Sequence, residues 1–419
     1  MHSNSGLIDH LRKTCRWLSC LEIWVLFIAI LAAAAKETFQ VAAIGAAIFF
    51  VIVRLAAFGK LSQRTPVDWF AGFFVLIVLL NFWVTPLPQL STPQLLRVLF
   101  GILVFYSIIN WVQSPEKIKQ VLLLLIFCGV ISACVTPVII LVFGNRLPAL
   151  PPVFYTYFGF LLNEKVNPNT MAGFLVVLFP LAMAGFLFTR GWGKTRWVFG
   201  ISTLVMLAML VLTKSRGALL AAILVFLFFI VIHWRWGWIA AVLAAASTGI
   251  AVLYLTLFQS AAILSSEFYK TLETRFIVWD RSIMILKDFP LTGIGMGTFL
   301  PVTEHLYPFF LPEAAGFRHA HNLFLQIGID LGLPGLLLWL VIFGFVIRGA
   351  WLIYQSGSHA RDRWAIGLGC GLLGSHLALV VHGFSDATTW GMMRLAPLVW
   401  GIWGLSIAGQ MVFAARAKE

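Results

Sequence analysis

Charge is what this chain has least of. Only 11% of its 419 residues are Asp, Glu, Lys or Arg, against about 25% in a soluble domain. With 61% of the residues hydrophobic, a soluble globular fold is excluded. The 16 acidic residues never form an Asp-x-Asp or Glu-x-Asp pair, which removes the clustered carboxylates that commonly hold a divalent ion on a sugar diphosphate. If the chain handles a diphosphate, cations must replace the metal. Cysteine is sparse too. Cys15 and Cys20 lie in the N-terminal segment, and Cys128, Cys134 and Cys370 lie inside apolar runs, so neither a disulfide framework nor a cysteine metal knot is expected. No cleavable signal peptide is expected, because the first apolar stretch is full length and a second follows directly. The net charge of +13 does not point to nucleic acid. Its basic residues are scattered between apolar runs, as in cytoplasmic loops of membrane proteins.

What is abundant is apolar sequence in runs of about 20 residues, the length that crosses a bilayer. Such runs fall near 20–35, 38–58, 67–85, 95–112, 118–143, 169–189, 196–213, 217–233, 238–258, 321–354, 364–382 and 391–415. Twelve spans put both termini on one side. Taking that side as cytoplasmic assigns to it Arg12, Lys13, Arg16, Arg54, Lys60, Arg64, Lys117, Lys119, Arg190, Lys194, Arg196, Arg235, Arg348, Arg361, Arg363, Arg416 and Lys418, the majority of the 29 Lys and Arg. Five of the remainder (Lys270, Arg275, Arg281, Lys287 and Arg318) share one long loop, and long loops do not count in the positive-inside rule. The expected organisation is a membrane region over 1–258 with about nine spans, an external loop over 259–320, and a second membrane region over 321–419 with about three.

Two external connections, 144–168 and 259–320, exceed simple turns, and loops of that length in a compact protein are usually functional. In the second, Tyr269, Leu272, Phe276, Trp279, Ile283 and Leu286 recur at spacings of three and four. That pattern predicts an amphipathic helix resting on the bundle or the membrane interface. Arg275 flanks its apolar stripe beside Trp279, while Arg281 lies nearly opposite and is expected in solvent. The helix ends at Asp288-Phe-Pro290, and Gly293-Ile-Gly295-Met-Gly297 follows as a flexible turn. Without a P-loop context or a following Lys-Ser or Lys-Thr, those glycines do not indicate nucleotide binding.

Four features resist the bland account. Lys214-Ser-Arg216 places two cations in a short external turn, against the positive-inside bias. They either snorkel to headgroups or form a fixed site for an anionic group, for which the arginine fork suits two phosphate oxygens. Arg275 carries the same two readings. His319-Ala-His321-Asn322 closes the long loop. Zinc is not favoured, because no further His or Cys stands nearby at ligand spacing. Left open are a neutral imidazole acting as proton acceptor and a structural helix cap. Asp386, in His382-Gly-Phe-Ser-Asp386, is the acidic candidate to partner an external Arg or His, or else caps the next segment. Asp330 lies within an apolar region and is expected to face protein rather than lipid, with no partner legible.

Taken in order, these motifs resemble the O-antigen ligase and polymerase superfamily of bacterial envelopes. The likeness rests on about twelve spans with a large late loop, and on Asn167-Pro-Asn169 before the sixth span. It also rests on Ser215-Arg216-Gly217, on Arg275 through Trp279 with Pro290 and Gly293-Ile-Gly295, and on His321-Asn322 followed nine residues later by Gly332-x-x-Gly335. The resemblance implies an all-α polytopic fold of the multi-span glycosyltransferase type called GT-C, in the bacterial inner membrane, with its active site on the periplasmic face. It implies an inverting, metal-independent transfer that needs no cofactor. The donor would be undecaprenyl-diphosphate-linked O-antigen and the acceptor lipid A–core oligosaccharide, with membrane lipids the surroundings and no nucleic acid involved. Arg216 and Arg275 would hold the diphosphate, His321 would be the catalytic base, and Lys214, His319 and Asp386 would support them. Loop size and length favour a ligase, as does an end soon after the last span, where protein-glycosylating relatives carry a further domain. An O-antigen polymerase, a protein O-oligosaccharyltransferase and, from another class, a transporter of an anionic solute are the alternatives.

Overall fold

The computed structural model describes residues 2–144, 168–189, 191, 193–234, 236–239, 242–243, 267–309 and 317–416. Among these residues the fold is all helix, without a strand. The helices are α1 (His2–Ala35), α2 (Phe39–Phe58), α3 (Asp68–Val84), α4 (Pro88–Trp111), α5 (Pro115–Gly144), α6 (Pro168–Phe188), α7 (Lys194–Leu212), α8 (Arg216–His233), α9 (Glu267–Asp288), α10 (Phe299–His305), α11 (Leu323–Ala360), α12 (Arg363–Gly383) and α13 (Pro397–Arg416). Ten of them are long and apolar enough to cross a membrane, and α3 is a shorter apolar helix. Eleven of the twelve expected runs thus coincide with described helices, ten of spanning length and the shorter α3. The run at 238–258 lies mostly outside the described residues, as do Asn167 and the 145–167 connection.

The helices pack by apolar contact, with α6 at the centre. In its spanning window 83% of residues are buried, against 22% for α7, so α6 faces protein and α7 largely faces outward. Around α6 lie α12, α7 and α5, and α11, α12 and α13 close the other side with α4. A charge inside the bundle is costly unless paired, and the buried Arg54 has its partners there. Arg54 of α2 pairs with Glu22 of α1 and bonds Ser107 of α4.

Alternation of the helices sorts the connections onto two ends. At one end, Glu37 between α1 and α2 meets Arg97 of α4 at 3.3 Å and Arg394 before α13 at 3.8 Å. At the other end, a cavity of about 660 Å³ is lined by Glu116 and Lys119 of α5, Thr189 after α6, and Arg361, Asp362 and Arg363 between α11 and α12.

Helix α11 is broken one-quarter of the way along. Gly332 adopts φ +73° and ψ 175°, and Pro334 has no N–H to return to the Asp330 carbonyl. The freed groups bond to the segment after α9. Ile294 N–H donates to Ile329 O at 2.7 Å, Gly295 N–H to Asp330 O at 3.2 Å, and Leu333 N–H to Pro290 O at 2.7 Å. Asn81 of α3 donates to both Asp330 O (2.7 Å) and Thr292 O (2.8 Å). Residues 289–297 thus form a strap bonded to the broken helix. Gly293, at φ +64°, has the Asp330 carbonyl 2.6 Å from where a β carbon would stand, so no side chain fits there. Above the strap is a second small core of Val278, Ile285, Phe299, Ala320 and Ile329.

The predicted amphipathic helix is present as α9, but its inner face is displaced from the predicted stripe. Val278, Ser282 and Ile285 are buried, while Phe276 and Ile283 are exposed. Apolar side chains at a lipid surface gain nothing from facing inward, so apolar period alone does not select the buried face. The displacement puts Arg275 in line with Val278 and Ser282, on the inner face.

Candidate active site

Four segments converge at the end of the bundle that carries Glu37. The first is the turn between α7 and α8. Thr213 Oγ1 accepts from Ser215 N–H at 3.3 Å, and Lys214 takes φ +54°, which lets α8 begin immediately at Arg216. Ser215 is buried and Arg216 is exposed at a helix N-terminus, where the backbone dipole favours an anion. The turn packs closely on the second segment, because a β carbon on Gly217 would stand 2.7 Å from Ser385 Cβ.

That second segment runs from the end of α12 through His382, Ser385, Asp386 and Thr388. Ser385 Oγ donates to His382 O at 2.9 Å, and Asp386 Oδ1 accepts from Thr388 N–H at 2.8 Å. Asp386 thus turns its own backbone, and its charge acts on Arg275, His319 and His321. The third segment is the inner face of α9, which supplies Arg275. The fourth is 317–322. Here Asn322, not a histidine, caps α11, its Oδ1 accepting from Phe324 N–H at 3.0 Å and Leu325 N–H at 3.1 Å. His321 is left-handed at φ +49°. The rings of His319 and His321 lie 4.1 Å apart between centroids. Among the described residues three non-glycine residues have positive φ, and two of them, Lys214 and His321, are here. Such strain persists where surrounding structure holds it and clusters at functional sites.

The electrostatics tie the segments together. Burial, then the field of Arg216, lowers the Arg275 pKa, while Asp386 acts to raise it. Burial pulls His319 below its ordinary value, with Arg275 adding to the fall and Asp386 opposing. His321 is pulled down by burial first, then by His319 and Arg275, again against Asp386. Burial alone would raise Asp386. His319, His382, His321 and the Thr388 N–H together outweigh it and hold the carboxyl below its usual range. At neutral pH the site is therefore one carboxylate, neutral imidazoles and two guanidiniums, with positive charge in excess.

Three unpartnered polar atoms belong to these segments. Among the described residues, His321 Nδ1, His382 Nε2 and Thr388 Oγ1 are buried without a hydrogen-bond partner. Buried polar atoms normally have one, so a cluster of orphans marks where a polar ligand or water belongs.

Arg216, Arg275, His319, His321 and Asp386 come together, with Lys214 exposed on the adjoining turn. Arg281 stays apart, contacting Met284 Sδ at 3.2 Å. One expectation needs amending. His319, His321 and Asp386 place one ligand atom each within 4.8 Å of one another, a donor set the spacing concealed because Asp386 arrives from beyond two helices. The adjoining guanidiniums oppose a divalent cation by the same field that favours an anion. His382 and Thr388 were not identified as site residues from sequence. The only signal was the proximity of His382 to Asp386 along the chain.

Residues 201–340 match the family model described as O-antigen ligase. The matched stretch holds Arg216, Arg275, His319 and His321, while Asp386 lies beyond it. A search of curated proteins found no match.

Proposed function

From membership of the O-antigen ligase and polymerase superfamily, which the family domain at 201–340 supports, we propose that this membrane enzyme is an O-antigen ligase. It moves a glycan from a polyprenyl diphosphate to the lipid A–core oligosaccharide at the periplasmic face of the inner membrane. The observation that carries the reading is the pairing of two arginines, brought from α8 and α9, with neutral histidines and a single carboxylate. The excess positive charge suits a diphosphate. The neutral imidazole suits an acceptor hydroxyl.

In the proposed step the acceptor hydroxyl oxygen attacks the anomeric carbon as the bond from that carbon to the diphosphate oxygen breaks. The lipid diphosphate leaves with the bonding pair, and the acceptor proton passes to His321. One in-line displacement inverts the anomeric centre. Arg216 and Arg275 meet charge that grows on the leaving group, and preorganised cations of this kind are commonly the largest catalytic term. The bound diphosphate also offsets the field of Arg275, which otherwise depresses His321, so the donor makes the base stronger as it arrives. His319 and Asp386 set the orientation and charge of His321, and Lys214 borders the donor.

A polymerase is the second reading, since its donor chemistry is the same and only the acceptor differs. A transporter is disfavoured because these groups gather at one end of the bundle, whereas transporters bind near the midplane at broken helices. The break in α11 lies deeper, but its polar groups are occupied by protein partners.

The test uses purified protein in liposomes with undecaprenyl-diphosphate glycan, lipid A–core and EDTA. Capped lipopolysaccharide should form, and Arg216→Ala and Arg275→Ala should each lower kcat/KM for the donor by about 10²-fold or more. Growth of the glycan on its own lipid would identify a polymerase. Loss of activity in EDTA, restored by a divalent ion, would overturn the metal-independent mechanism.

A further inference from the structure

Asp330 is fully buried and touches none of the site residues, yet it stands where two halves of the site are fixed. Its carboxyl accepts three hydrogen bonds. Gln326 Nε2 donates at 2.7 Å to Oδ1, while Trp390 Nε1 at 2.9 Å and Gln94 Nε2 at 3.1 Å donate to Oδ2. Every partner is a donor, so an acceptor-only carboxylate satisfies all of them. Gln326 has its amide nitrogen committed to Asp330, which turns its Oε1 the opposite way. That oxygen accepts from the backbone N–H of Ala320 at 2.7 Å, the residue between His319 and His321. The backbone carbonyl of the same Asp330 accepts from Gly295 N–H and Asn81 Nδ2, and so anchors the strap that ends α9, the helix of Arg275.

We propose that Asp330 and Gln326 are positioning residues. Through Gln326 the carboxylate holds the histidine segment, and through its carbonyl and Asn81 the same residue holds the Arg275 helix, so one buried point sets base and diphosphate cation in register. The polarity of the relay matters as much as its presence. An amide at 326 can face Asp330 with its nitrogen only if residue 330 accepts, and only then does its oxygen face Ala320. The left-handed His321 depends on that bond, because backbone strain of this kind persists only when its surroundings over-determine it.

The polarity supplies a test with two readouts on full-length protein. Hydrogen exchange is measured over 317–325 and over 290–297, and kcat and KM are measured in the transfer assay. Gln326→Leu removes the acceptor from Ala320 N–H. Exchange over 317–322 should rise about tenfold or more, with 290–297 unchanged. In the assay, kcat should fall about tenfold or more while donor KM changes less than about threefold, consistent with the two orders of magnitude that an ångström of misplacement at a reacting centre can cost. Asp330→Asn turns a donor toward a donor on one side and should disturb 317–322. The double variant Gln326→Glu with Asp330→Asn reverses the polarity of the central bond. The asparagine nitrogen then donates to the glutamate, the asparagine oxygen faces Trp390 and Gln94, and the glutamate still accepts from Ala320. It should restore both protection and kcat. Ser406→Ala, which removes the buried bond to His376 at 3.0 Å, controls for loss of any buried bond and should leave both stretches protected.

Unchanged exchange at 317–322 in Gln326→Leu would overturn the proposal. So would uniform exposure across the bundle, or a polarity-reversed pair that stays open. Should Gln326→Leu fail to fold, Asp330→Asn and the volume-conserving reversed pair decide the matter between them. The kinetic arm rests on the proposed transfer, whereas the exchange arm does not. Absence of transfer in the unaltered protein, with exchange behaving as described, would sink the ligase reading and leave the positioning role standing.

Discussion

Gly217→Ala tests whether the α7–α8 turn and the Asp386 segment must touch. The new β carbon would stand 2.7 Å from Ser385 Cβ and closer still to Ser385 Oγ. The hydroxyl can rotate away, but Cβ cannot. Ordinary contact begins at 3.4 Å, so the two segments must part by about 0.7 Å. Forced overpacking costs about 1–3 kcal/mol, and alanine returns up to about 1 kcal/mol in helix propensity, leaving a net loss of about 0–3 kcal/mol in stability. The displacement falls between Arg216 and Asp386, across the site. Since misplacement of about 1 Å can cost 10²-fold, kcat/KM should drop about 10- to 10²-fold, or about 1.4–2.7 kcal/mol, in protein that remains folded. Ser385→Gly removes the obstructing carbon, so the double variant should recover to within about threefold of Ser385→Gly alone, a coupling of the size seen between contacting residues. The assay is glycan transfer in liposomes, with thermal unfolding monitored in parallel. Wild-type turnover in folded Gly217→Ala, or a double variant no better than the single, would refute the close approach as the reason for a glycine here.

Three further outcomes are expected. His321→Ala should lower kcat by about 10²–10⁴-fold with donor binding retained, and the unaltered enzyme should lose kcat/KM as pH falls, because only neutral His321 accepts a proton. Burial, His319 and Arg275 keep that base neutral below its ordinary 6.5, so the acid limb should lie below pH 6.5 in kcat/KM and higher in kcat, once the diphosphate offsets Arg275. A limb above pH 7 in kcat/KM would contradict the assignment. Asn322→Ala should cost about 1 kcal/mol as a lost N-cap, read from thermal unfolding, and should raise hydrogen exchange at Phe324 and Leu325.

Much of the site was legible in the chain because cations in a short external turn and histidines at a membrane boundary are costly unless used. Arg216 and His321 stood out for that reason, and Arg275 because it flanks the apolar stripe of the loop helix beside Trp279. Other aspects were hidden. Phe276 and Ile283 fit the helical period, so the inner face of α9 was misplaced, and the true face passes through the polar Ser282. The approach of Asp386 to His319 and His321 depends on how α11 and α12 pack, which no local spacing encodes. Asp330 was legible as a buried acid but not in its bonds, since Gln94, Gln326 and Trp390 lie on three separate segments and each resembles an ordinary span residue.

The break at Gly332 bears on how the enzyme would sit in membranes of different thickness. Spanning helices answer mismatch by tilting or kinking, at fractions of a kcal/mol per ångström, and a loop tethered only at its ends would be dragged out of register as they do. Here an extramembrane strap takes its hydrogen bonds from within a spanning helix, through Ile329 O, Asp330 O and Leu333 N–H. When α11 leans, the strap leans with it, and the histidine segment continuous with its N-terminus follows. The bilayer can deform around such a catalyst while the reacting groups ride as one piece.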